Sequence, residues 1–208
     1  MSRPLQRPRA NTLAKLRQGR LATCLIATLG LGSTAGPLSA ATIWPVGRCS
    51  DTAGKGGDTL RIAINKAASG DIIDMTTLAS TCTTITLAFE VPILVNYLTI
   101  NGPTDHLVTV SGNNVGRVFN HSGSGKLTFN NLGLASGTTG GNGGCVASSG
   151  SVQLQSTIVS GCTSGAHGGA VYTASNTILV GSTLTHNYAA QAYVGDGGAI
   201  WASANVFA

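Results

Sequence analysis

Residues 168–187 read "GGAVYTASNTILVGSTLTHN", and residues 197–205 read "GGAIWASAN". Two glycines, an alanine, an aliphatic and an aromatic are spelled twice, and "GRVF" (116–119) and "GGCVA" (143–147) come close to the same. A catalytic loop needs its unusual residues once, so recurrence at a fixed interval is an architectural signal. Aligning these openings places Val118, Val146, Val171 and Ile200 at spacings of 28, 25 and 29. An apolar residue followed three positions later by a small or turn-forming one recurs at Val110, Leu134, Ile158 and Leu184, at spacings of 24, 24 and 26. The matching turns are Asn113, Gly137, Gly161 and Asn187, and a third apolar pair lies between: Leu127 with Phe129, Val152 with Leu154, Ile178 with Val180.

Three short strands per 24–29 residues, always in the same order, predict an all-β right-handed parallel β-helix with a short N-terminal capping helix. In such a solenoid alternate side chains of each strand face inward. Gly, Asn and Ser take the corners, where the backbone must adopt left-handed or crowded conformations. One rung cannot bury its apolar face alone; stacking on the next rung does. Propeller blades need four strands and about forty residues, and a calcium-binding nonapeptide roll needs regularly placed Asp. Beyond residue 105 the only acid is Asp196.

The formal charge of +5 suggests a basic protein, but Arg3, Arg7, Arg9, Lys15, Arg17 and Arg20 supply half of the twelve basic residues. No acid precedes Asp51, and the remainder of the chain is nearly neutral, which excludes the basic stripe a nucleic-acid partner needs. The basic leader runs into the apolar "LATCLIATLGLG" and then "STAGPLSAA", the pattern of a cleaved export signal over residues 1–41. The apolar run is too short for a membrane anchor, so no transmembrane helix is expected in the mature chain. Residues 42–105 read as a cap with the first irregular rungs, and 106–208 as repeats. In the cap, "DTLRIAINKAASG" has helical spacing, with Asp58 available as N-cap and Gly70 as stop. The last residues, "WASANVFA", fall within a strand segment. The expectation is therefore a truncated product, an unfinished gene model or one part of an assembly, with an uncapped last rung open to end-to-end association.

Export places Cys49, Cys82, Cys145 and Cys162 where disulfides persist. Four cysteines allow three connectivities. Locality favours Cys49 with Cys82 and Cys145 with Cys162, and the absence of a Cys-x-x-Cys argues against zinc.

The "GGA"-aliphatic motif followed by "STLTHN" resembles the repeats of polymorphic outer-membrane proteins, with Leu184 and Ile158 where that motif has Phe and Asn187 supplying its Asn. The stretch "GDTLRIAINKAASGDIIDM" through "LTINGP" resembles the N-terminal cap of pectate-lyase-like β-helix proteins. The first resemblance implies an exported, outer-membrane or cell-surface, adhesin-like protein. The second implies a polysaccharide lyase or glycoside hydrolase, or the remnant of one, which would use an Asp cluster with Ca²⁺ and a base, or paired acids.

Glycoside hydrolysis needs two carboxylates flanking one bond. Asp71, Asp74, Glu90 and Asp105 all precede the repeats, and His106, His121, His167 and His186 have no second histidine nearby in sequence. No nucleophile elbow is present. No catalytic, metal or cofactor site is therefore assigned. One binding row is. Phe119, Ala147, Tyr172 and Trp201 follow the aligned aliphatics, and if Val and Ile point inward, alternation puts this row outside. Phe119, Tyr172 and Trp201 are then candidates for contacts with surface glycans or other cell-surface proteins. The competing readings are that loops cover the row, or that parity is reversed and these residues are core.

Overall fold

The computed structural model describes residues 40–51, 58–190 and 197–208. The expected export signal over residues 1–41 lies almost entirely outside the described residues, as does Asp196. Twenty short strands and one helix are described, and every strand pairing is parallel. The chain winds through about six turns of a parallel β-solenoid, so each sheet holds strands from successive turns.

A seven-stranded face is built from Ile43–Pro45, Ile72–Asp74, Leu98–Asn101, Lys126–Asn130, Ser151–Gln155, Thr177–Val180 and Val206–Phe207. The first five-stranded face holds Thr84–Thr86, Val108–Ser111, Leu132–Ala135, Ile158–Ser160 and Thr183–Thr185. The second holds Val91–Ile93, Phe119–His121, Val146–Ser148, Val171–Thr173 and Ile200–Ala202. A three-stranded face of Thr138–Thr139, Thr163–Ser164 and Tyr188–Ala189 lies between the two in the later turns.

Three corners in each later turn use left-handed backbone. The first takes Asn131, Ser156 and Gly181; the second takes Ser136, Gly161 and His186; the third takes Gly143, Gly168 and Gly197. The paired glycines of the motif thus have separate jobs. The first of each pair is left-handed, which a side chain disfavours. In the first two pairs the second has no room: a Cβ on Gly169 would meet the Gly198 carbonyl oxygen at 2.2 Å, and one on Gly144 the Gly169 carbonyl oxygen at 2.3 Å, whereas Gly198 meets nothing within 4 Å.

The interior is a set of apolar columns running along the solenoid, and on each of the three larger faces one strand corrects the sequence alignment by one residue. On the first five-stranded face the column is Ile85, Val110, Leu134, Val159 and Leu184. Ile158 points out and is 41% exposed, while Val159 is fully buried. The phase is set by the corner before it: Ser156 is left-handed and Thr157 turns inward, its Oγ1 donating to the Phe129 and Gln155 carbonyls. On the second five-stranded face Phe119, not Val118, stacks with Val146, Val171 and Ile200. Val118 is also buried, but at the corner, where the N–H groups of Val118 and Phe119 both donate to the Cys145 carbonyl. Cys145 with Val146, and Ala170 with Val171, repeat that shared acceptor on the next two turns. On the seven-stranded face Thr177 and Leu179 occupy the columns, leaving Ile178 and Val180 outward. A one-residue slip in any strand would expose the whole inward set, at about 1.5–3 kcal/mol per large side chain, so these phases are firmly held. Phe119 and Phe129 meet inside, ring centroids 5.3 Å apart.

The helix Leu60–Lys66 packs against Ile43–Pro45, Ile72–Asp74 and Val91–Ile93. Thr59, not Asp58, is its N-cap, accepting from the Ile62 N–H at 3.3 Å. It ends before Gly70 because the Asp71 carboxylate captures the Ala68 N–H at 2.8 Å. The helix also buries Arg61, which the apolar spacing gave no reason to expect. Its Nε and Nη2 grip the Asp51 carboxylate at 2.9 and 2.6 Å, and its remaining donors reach the Glu90 and Phe89 carbonyls.

Both disulfides join the cysteines that locality favours, Cys49 with Cys82 and Cys145 with Cys162. The second lies wholly inside the coil and ties one turn to the next. Among the described residues no helix is long and apolar enough to cross a membrane.

Candidate functional site

The corrected register changes the outer row of the second five-stranded face. Its members are Pro92, Asn120, Ala147, Tyr172 and Trp201, paired in that order on consecutive turns. Phe119 is fully buried in the inner column, so it leaves the candidate binding row and Asn120 takes its place. Tyr172 and Trp201 are outward and half-buried. Their rings lie 4.7 Å apart and within 6° of parallel, and the His167 ring lies 5.5 Å from that of Trp201 at a tilt of 30°. Register explains the stack, because in-register parallel strands place like positions about 4.8 Å apart.

Beside this row runs a polar brace. Arg117 donates through Nη1 to Glu90 at 2.5 Å, through Nε to the Gly143 carbonyl at 2.9 Å, and through Nη2 to the Asn142 carbonyl at 2.8 Å. Glu90 also accepts from Asn120 Nδ2 at 3.0 Å. Asn142 Oδ1 in turn accepts the His167 N–H at 3.1 Å. The guanidinium is therefore neutralised and committed to holding the 139–143 corner. Between brace and row lies a cavity of about 350 Å³, lined by Arg117, Asn120, Asn142, Ala147, Ser149 and Tyr172 among others.

Behind the cavity, His121 and Ser148 are paired inward on neighbouring turns. The His121 Nε2–H donates to the Val95 carbonyl at 2.8 Å, since a carbonyl can only accept. Nδ1 then accepts from the Ser148 hydroxyl at 2.7 Å. Burial pushes the His121 pKa below its ordinary value, so the ring is neutral. The Ser148 oxygen also accepts the Gly150 N–H at 3.0 Å, and both residues are almost wholly buried. The pair is a hydrogen-bonded ladder at the inner wall of the cavity, with the serine hydroxyl committed to His121.

Asp71 and Asp74 of the cap are likewise engaged. Asp71 accepts from the Ala68, Trp44 and Thr42 N–H groups, each at 2.8 Å, and the Ala68 bond above all, with the Trp44 bond next, holds its carboxyl below the usual range. Asp74 folds back on Thr76 at 2.9 and 2.6 Å. A second cavity, of about 270 Å³, lies under Pro103–Leu107, where Asp105 bonds His106 at 2.8 Å on an exposed loop. Among the described residues no group of three or more His, Cys, Asp and Glu is placed to hold a metal.

Of the remaining sequence candidates, Asn187 stitches two turns together: its Oδ1 accepts the Cys162 N–H at 3.0 Å and its Nδ2 donates to the Val159 carbonyl at 2.9 Å. The features that sequence reasoning missed are the Arg117–Glu90–Asn120 brace and the gap at Ala147. The "GR" of "GRVF", an arginine where later turns have glycine, is the signal that could have marked the brace.

Fold and site together define the class: a parallel β-solenoid bearing a polar, aromatic-walled cavity on an outer face. The chain matches no known protein family, no curated protein and no solved structure.

Proposed function

We propose that the chain is an exported, surface-displayed solenoid that binds glycan through the outer row of the second five-stranded face, without catalysis. The observation that carries this reading is the half-buried Tyr172–Trp201 stack beside the polar cavity. Aromatic surface next to amides and hydroxyls suits ligands that are apolar on one face and hydroxylated at the edge. The basic leader and its small-residue cleavage pattern support export. The "GGA" repeats fit the exported bacterial surface type of β-helix.

Labelled protein and its Tyr172→Ala/Trp201→Ala double variant, applied to a glycan array and to intact cells, test the reading. Loss of retention in the variant is expected; equal retention overturns it. N-terminal sequencing of the exported product should begin at residue 41 or 42, and an uncleaved or cytoplasmic product would refute export.

A further inference from the structure

The outer row of the second five-stranded face is interrupted. Asn120, Tyr172 and Trp201 each present a sizeable side chain, but Ala147, between the first two, presents a methyl. Asn120 and Tyr172 therefore stand two strand spacings apart, about 9.6 Å. Trp201 covers one face of Tyr172. The other face looks along the solenoid over Ala147 into the cavity of about 350 Å³.

We infer that this gap is a slot for a single neutral sugar ring, which completes the row as the missing side chain of the Ala147 turn. The inference rests on the glycan-binding reading and specifies its ligand. Three features select the class. A ring lying on Tyr172 at van der Waals distance takes about half of the 9.6 Å, and the rest suits a puckered ring with projecting hydroxyls better than a flat base, which would be left loose. The surrounding groups are amides and a hydroxyl, Asn120, Asn142 and Ser149, which both donate and accept as sugar hydroxyls require. The one cation at the slot is spent: Arg117 is paired with Glu90 and bonded to the Asn142 and Gly143 carbonyls. An acidic sugar would meet no uncommitted positive charge and would approach the Glu90 carboxylate. The volume lies at the small end of ligand sites, the size of one or two sugar units.

The test is calorimetric titration of the intact chain with a panel of neutral oligosaccharides (gluco-, manno-, galacto- and N-acetylglucosamine-configured) and with oligogalacturonate. Ala147→Phe fills the slot while keeping every polar group, and an aromatic is already accommodated at the equivalent position of the next two turns. Tyr172→Ala removes the wall. At least one neutral oligosaccharide should bind the wild type, with affinity falling about ten-fold or more in both variants. Tyr188→Ala, an exposed aromatic on the three-stranded face away from the slot, should stay within about three-fold. Binding of oligogalacturonate alone overturns the inference. So does a neutral glycan that binds Ala147→Phe as it binds the wild type, and in that case the glycan-binding reading stands. If neither the panel nor the glycan array retains the wild type, both fall.

Discussion

Gly169 shows how little freedom a single position has in this chain. Its missing Cβ is occupied by the Gly198 carbonyl of the next turn, 2.2 Å away, and by Tyr188 backbone at 2.6 Å. Gly169→Ala must push two turns apart. We expect a loss of about 2–4 kcal/mol, read from urea unfolding, with Gly140→Ala, whose Cβ meets nothing within 4 Å, close to neutral. His121 makes the second prediction at this scale. Its folded pKa lies below the ordinary 6.5, chiefly through burial. The unfolded chain therefore takes up a proton first as the pH falls. The stabilisation from the neutral ring is complete above about pH 6.5 and is lost as pH drops toward the folded value. His121→Asn should flatten the slope of the unfolding midpoint between pH 7 and 5; an unchanged slope would assign that dependence to other groups.

Strands and the helix show which parts of the fold the sequence disclosed. The repeat period, the strand order and the paired-glycine corner were legible, because periodic apolar and glycine positions leave a direct trace. Phase within a strand was not. Val118–Phe119, Ile158–Val159 and Ile178–Leu179–Val180 offer adjacent apolar residues, and either parity satisfies the pattern. What decides is the corner, and Ser136, Ser156 and His186 adopt left-handed backbone without being glycine or asparagine. The outer row was legible as a row and misread in membership for the same reason: Phe119 entered it through the slipped alignment, and Ala147 looked like a weak member rather than an opening. Arg61 was invisible, since nothing local announces a buried ion pair. Its side chain and that of Asp51 are 7% and 2% exposed. Removing one partner strands a charge, so Asp51→Ala should cost about 3–5 kcal/mol. Loss of the cap helix signal in hydrogen exchange should accompany it, while the central turns keep their protection.

Across the whole molecule, each turn contacts only its neighbours, and stability is close to a sum of turn and interface contributions. The Cys145–Cys162 bridge closes a segment with a sequence separation of 17 between adjacent turns. In the chain-entropy account a loop of that length contributes about 3 kcal/mol. Cys145→Ser/Cys162→Ser should lower the thermal midpoint and selectively raise exchange in residues 138–164. Uniform loosening of the chain would contradict nearest-neighbour behaviour. The same bridge holds the corner that carries Asn142, so the double variant should also weaken whatever ligand the Ala147 gap receives.

Because every ladder bond joins one turn to the next, tension applied along the long axis loads those bonds in series rather than side by side. The solenoid would come apart like a zipper, about 25 residues or roughly 85 Å of thread per event, at low force. The cystine between residues 145 and 162 interrupts that peeling, since the thread it encloses cannot pay out while the sulfurs stay joined. A protein displayed at a surface and tugged through its bound sugar would thus be built to yield in small steps and to stop at a covalent catch.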